Sequence, residues 1–178
     1  MTPATLFSMA EMSLVANALE VAEEAVSDHF HISDTAWLRY PYELRTLAEL
    51  GPSEISGRAL AQVLRLRKPP RPGRIRAQDF FRICLQDHNF LGLIKREGVR
   101  ELMLPLMTYV LAHELVHVVR FYRFHHLFEA EPHERAQEEV TVHGITGQAL
   151  KKVRLPNLDR VLIFYEEHGE DGFATATC

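Results

Sequence analysis

The sequence predicts an α+β fold that is predominantly helical, with a small β element. Three observations carry this. Apolar residues recur at helical spacing near the amino terminus. A long helical segment reads from Val99 to Phe124 and contains the longest apolar stretch, Leu102 to Ala112. The best strand-like alternation of apolar and polar residues is a short stretch, Phe81 to Gln86. At 178 residues the chain has the size of a single domain. It divides into an amino-terminal helical segment, residues 1–66, and a core, residues 77–168.

Ser8-Met9-Ala10-Glu11 has the pattern of a capping box, in which hydroxyl and carboxylate satisfy free backbone donors. Met12, Val15, Leu19, Ala22 and Val26 then place a helix over about Met9 to Asp28. Leu44, Leu47 and Leu50 suggest a short helix over Pro41 to Leu50, stopped by Gly51-Pro52. Ile55, Leu60, Val63 and Leu64 suggest another over Glu54 to Leu66. Lys68-Pro69-Pro70-Arg71-Pro72-Gly73 is a break. Around it, from Arg65 to Arg76, lie six basic residues and no acidic one. Without interleaved aromatics that could stack on bases, this reads as a solvated linker.

Phe81, Ile83 and Leu85 alternate with Arg82, Cys84 and Gln86 and form the best strand candidate. A long helix follows over Val99 to Phe124, with Pro105 as a possible restart. After a connection over His125 to Pro132, a further helix covers His133 to Val153. A last one covers Leu158 to Glu167, with Asn157 as its N-cap. The tail from Gly169 to Cys178 reads as loose.

Composition narrows the function. A net charge of −4 gives no global attraction to nucleic acid or anionic membranes. The apolar run Leu102 to Ala112 is too short to span a bilayer. Met1 to Ala10 lacks the basic and apolar regions of a signal peptide. Two cysteines, Cys84 and Cys178, make no disulfide framework, so a reducing, cytoplasmic compartment is expected.

The chemistry is concentrated in His113-Glu114-Leu115-Val116-His117. On a helix, residues four apart share a face, so both imidazoles can address one ion. Glu114 lies ~100° around the helix, beside the ligands, where its carboxylate can take a proton from a water. The flanking residues Val110, Leu111, Ala112, Val118, Val119 and Phe121 are apolar. Buried imidazole and carboxylate groups there need a partner, and a metal ion is the simplest one. A third ligand is expected on the packed face of the helix after the motif. Ala136, Val140, Gly147, Leu150 and Val153 define an inner sector that contains Glu139 and His143. Glu139 is the first choice, with Glu138, Glu134 and His133 as alternatives. His143 then acts beside the metal, either as a hydrogen-bonding neighbour of the site or as an oxyanion donor, and as a lone residue it also fits a satisfied core histidine.

These residues resemble the zincin metallopeptidases, more narrowly the gluzincin pattern of H-E-x-x-H followed by a ligand Glu on a second helix. The resemblance covers His113 to His143 and no specific family beyond it. It implies one zinc ion held by His113, His117 and Glu139, Glu114 as general base, and a peptide or protein substrate. It also implies a cleft-edge strand that binds substrate by backbone pairing, for which Phe81 to Asp87 is the candidate. The sequence departs from the pattern after the third ligand: Val140, Thr141, Val142 and His143 stand where an acidic residue or Asn often follows by four. His143, Tyr109 or Tyr122 would steady an oxyanion.

Three other readings compete. One is a zinc-binding module without catalysis, or a latent enzyme with Cys178 supplying a thiolate to the metal. Another is a di-iron helical protein, which needs a second E-x-x-H that the chain lacks. The last has no metal. His125, His126 and His133 read as surface residues.

Overall fold

Residues 5–70, 72–73, 78–123 and 129–169 are described by a computed structural model. The loop residues His125 and His126, part of the basic linker and the tail with Cys178 lie outside them. The described chain is α+β and mostly helical. It runs α1 (Met9–Phe30), β1 (Tyr42–Arg45), β2 (Ala61–Lys68), β3 (Gln78–Leu85), α2 (Asp87–Glu97), α3 (Met103–Tyr122), α4 (Pro132–Leu150) and α5 (Leu158–His168).

Helix α1 starts where the capping box places it. Ser8 N–H donates to Glu11 Oε2 at 2.7 Å, and Glu11 N–H donates back to Ser8 Oγ at 3.3 Å. Its buried face carries Ala18, Ala22 and Ala25 beside Val15 and Val26. These small side chains let α1 lie close along α3, its principal neighbour.

Two expected helices are replaced by strands. Pro41 to Leu50 forms β1 and a short 3₁₀ turn, Leu47–Glu49. Glu54 to Leu66 forms the end of another turn and then most of β2. The cause is pairing with β3, which is remote in sequence. Tyr42 to Arg45 align parallel with Phe81 to Cys84, and Ala61 to Lys68 align antiparallel with Leu85 to Gln78. Tertiary pairing overrides the leucine spacing. The described residues of the two expected segments therefore share one sheet and one continuous core.

The sheet order is β1-β3-β2. Because β3 is central, both its edges are occupied, and Phe81 to Asp87 cannot add a substrate strand as the sequence suggested. The strand also ends at Leu85, and Asp87 opens α2. The edges of the sheet are β1 and β2.

Helix α3 is buried on nearly every side, and α1, β2, α4 and α5 all pack against it. The segment Arg100–Tyr122 is longer than the apolar run considered above. By length and composition it could cross a membrane, and 89% of its most apolar window is buried inside the molecule.

Asp87, buried at the β3–α2 junction, accepts from the backbone N–H groups of Phe7 and Leu47, each at 2.9 Å. It ties the start of the chain and the β1 turn to α2. Asn157 is the N-cap of α5, as expected, but it has φ 64° and its side chain makes no cap bond.

Candidate metal centre

The apolar run that makes α3 the core helix also carries its imidazoles into the interior. His113, Glu114 and His117 are at most 1% exposed. From α4, Glu139 reaches them and is 9% exposed. His113 Nε2 and His117 Nε2 lie 3.1 Å apart. Glu139 Oε2 is 3.2 Å from His113 Nε2, and Oε1 is 3.2 Å from His117 Nε2. A tetrahedral zinc with bonds of roughly 2.0–2.1 Å separates its ligand atoms by roughly 3.3–3.4 Å. Each pairwise spacing is close to that value, with the two Glu139 contacts made by different oxygens, and with one atom per residue His113, Glu139 and His143 also form a group that could hold a cation.

Proton accounting supports the same fit. Neutral imidazole carries one N–H, and an ionised carboxylate carries none. If both Nε2 atoms were protonated, two N–H groups would collide across 3.1 Å. If only one is, the group is short of donors. Glu139 Oε1, despite its proximity to His117, is buried without a hydrogen-bond partner, as are His113 Nδ1, His117 Nδ1, Glu114 Oε2 and His143 Nε2. A cation between the two Nε2 atoms and the Glu139 carboxylate would supply there what the protons cannot, and it would leave the Nδ1 atoms of both rings as they are.

The electrostatics are consistent with ligand-ready states. Burial pushes His113 down to about 3, despite the opposing pull of Glu139, and keeps it neutral. Burial tends to raise Glu139, but its hydrogen bond with His113 and the nearness of His117 outweigh this and hold it well below the usual carboxylate range. Glu114 is raised well above that range by burial and by the nearby Glu139 charge.

The face of α4 that turns inward is not the expected one. Glu138, Glu139, Val142, Thr146, Ala149 and Leu150 are buried, whereas Ala136 is exposed and Val140 is 67% exposed. Glu139 still faces the imidazoles. The alternatives are engaged elsewhere or point away. Glu138 forms a bidentate pair with Arg120, at 2.5 and 2.8 Å. Glu134 accepts from Glu131 N–H at the helix start, and His133 is exposed.

His143 is half-buried and offers a ring nitrogen within 4.8 Å of ligand atoms of His113 and Glu139. Its Nδ1 is 2.7 Å from the Tyr109 hydroxyl. Burial, then the charges of Glu139 and Glu166, raise Tyr109, so the phenol keeps its proton. Tyr122 is not part of this group: its hydroxyl donates to Pro41 O at 2.7 Å on the sheet side.

Two participants escaped sequence reasoning. Tyr165 on α5 stacks on Tyr109, with centroids 3.9 Å apart, and lies 5.4 Å from the His143 ring. Arg120 clamps α4 one residue before Glu139. Its position three residues after His117, on the turn following the motif, was the available signal. A cleft of about 240 Å³ opens between α4 and α5, with Tyr109, His143 and Tyr165 on its wall.

No protein-family model matches the chain, and no curated protein or solved structure shows significant similarity to it.

Proposed function

We propose that the chain is a zinc-dependent metallopeptidase with a zincin-like core, in which α3 and α4 supply the site. The observation that carries this reading is the convergence of His113, His117 and Glu139 at 3.1–3.2 Å with Glu114 buried beside them. His113, His117 and Glu139 would hold the ion. When bound, zinc supplies Lewis-acid polarisation of a peptide carbonyl and acidifies a water.

The residues of the chain do the rest. A Glu114 carboxylate oxygen takes the proton of the attacking water and delivers it to the leaving amine nitrogen. Its apolar surroundings make the ionised carboxylate a stronger base than one in water. A Tyr109 hydroxyl that donates to His143 Nδ1 leaves the imidazole proton on Nε2, which then serves as a donor to the developing oxyanion. The cleft beside His143 gives a peptide its approach.

One observation favours a second reading. His143 Nε2 is buried without a hydrogen-bond partner, and one ring nitrogen of His143 lies within 4.8 Å of ligand atoms of His113 and Glu139. As a fourth ligand it would close the site, as in structural zinc centres, and make the protein a catalytically silent zinc-binding module.

Metal analysis of protein purified without added zinc tests both. The expected result is one zinc per chain, lost in His113→Ala, His117→Ala and Glu139→Ala and kept in Glu138→Ala. Glu114→Gln should keep the zinc and lose hydrolysis of a peptide library. His143→Ala should keep zinc and lose activity; loss of zinc instead would establish the closed module. A wild-type chain that takes up no zinc on titration would defeat both readings.

A further inference from the structure

The cleft beside the candidate metal centre is walled on one side by Gly144 and Gly147 of α4. Glycine inside a helix is unfavourable, because it carries a larger loss of backbone freedom than alanine. Packing does not demand it here. A Cβ at either position would meet nothing within 4 Å beyond adjacent chain and helix backbone. Neither residue has a positive φ. What the two glycines do is leave the cleft open where side chains would project into it.

The remaining wall selects an occupant. Tyr109, His143 and Tyr165 form a stack of rings inclined to one another by 6° to 25°. Val140 and Leu162 add aliphatic surface, and the Glu166 carboxylate is a repulsive neighbour for any anionic group. At about 240 Å³ the space is smaller than the roughly 300–1,000 Å³ of pockets for drug-sized ligands. It suits one large side chain. His143 links it to the metal ligands, within 4.8 Å.

We infer that this cleft is a specificity pocket for one aromatic or large aliphatic residue of a peptide substrate, and that Gly144 and Gly147 keep it open. The inference rests on the peptidase reading for its substrate, but the pocket itself can be tested without catalysis.

Two measurements separate them. The first is amide NMR of the full chain titrated with N-acetyl-phenylalaninamide, with N-acetyl-alaninamide as control. The second is cleavage-site profiling on a peptide library. The pocket predicts saturable shifts at Gly144 and Gly147 with the phenylalanine amide alone. It predicts cleavage beside Phe, Tyr or Leu. Gly144→Ala and Gly147→Ala should each raise Tm by about 2–4 °C, through helix propensity, and keep zinc. Gly147→Leu should abolish the shifts and cut cleavage beside aromatics at least tenfold. Cleavage without apolar preference, unchanged in Gly147→Leu, would overturn the pocket and leave the peptidase. Shifts without any cleavage would support the pocket and overturn the peptidase. Absence of both would overturn both. Gly144 and Gly147 resonances that move on deleting residues 170–178, but not on adding the amide, would assign the cleft to the chain's own tail and overturn the inference.

Discussion

The ion pair between Arg120 and Glu138 offers a quantitative test of how α3 and α4 are held together. Both oxygens of Glu138 are engaged, at 2.5 and 2.8 Å, and the side chains are only 14% and 7% exposed. That places the pair among buried salt bridges, not surface ones worth about 0–1 kcal/mol. Removing one partner of a buried pair costs about 3–5 kcal/mol, because the other charge is left without compensation. Glu138→Ala, which leaves the buried Arg120 guanidinium without this carboxylate, should therefore destabilise the protein by about 3 kcal/mol, or ~6–12 °C in Tm for a chain of this size, and Arg120→Met should destabilise it in the same direction. The double variant Arg120→Met/Glu138→Leu should regain most of the loss, since apolar replacement of a buried pair is often neutral. Urea unfolding in chelator gives these values free of metal linkage. Repeating it in zinc reads the second consequence: Glu139 is the next residue along α4, so stabilisation by zinc should shrink in the single variants. Single losses below about 1 kcal/mol, or a double variant equal to the sum of the singles, would refute the clamp.

Asp87→Ala should cost roughly 2–6 kcal/mol in urea unfolding, because it orphans the buried N–H groups of Phe7 and Leu47. An unchanged midpoint would show that neither bond matters. Stability should also respond to acid through Glu54. The Gly51 N–H and then Arg82 hold this carboxyl below its ordinary 4.5, outweighing burial. A depressed folded value means that its contribution is complete above about pH 4.5 and is lost as pH falls through the folded value. Glu54→Gln should flatten the stability profile below pH 4.5, and parallel profiles for wild type and variant would contradict this.

The parts of the fold legible in the sequence are those set by local chemistry. Ser8 and Glu11 cap α1 because both partners lie within four residues. Residues 103–122 form a helix because their apolar run leaves few alternatives. The strands were harder to see: Tyr42 meets Phe81 across nearly forty residues, and leucines three apart in Pro41 to Leu50 mimic a helix. In Leu64 to Arg67 the alternation was present, but it was masked by the apolar cluster before it. At the site, the selection of Glu139 rested on an inner sector that included Val140, which faces outward. The sector is rotated because Glu138 turns in to meet Arg120, a charge pair that a hydrophobicity pattern treats as surface. Tyr165 enters the site from a third helix, a placement fixed only by how α5 packs on α3.

The outer strand β2 has a consequence for self-association. Eight residues long and at the edge of the sheet, it is the kind of element that invites another chain to pair with it. Its exposed end carries Arg65, Arg67 and Lys68, against which Asp79 on the neighbouring strand and Glu129 set two negative charges. Two such edges brought together parallel would set these cations against one another, and brought together antiparallel would set charged side chains against the uncharged Ala61 to Leu64 end. The arginines and lysine thus keep the sheet three strands wide, at the modest expense of an edge whose protection weakens as salt screens it.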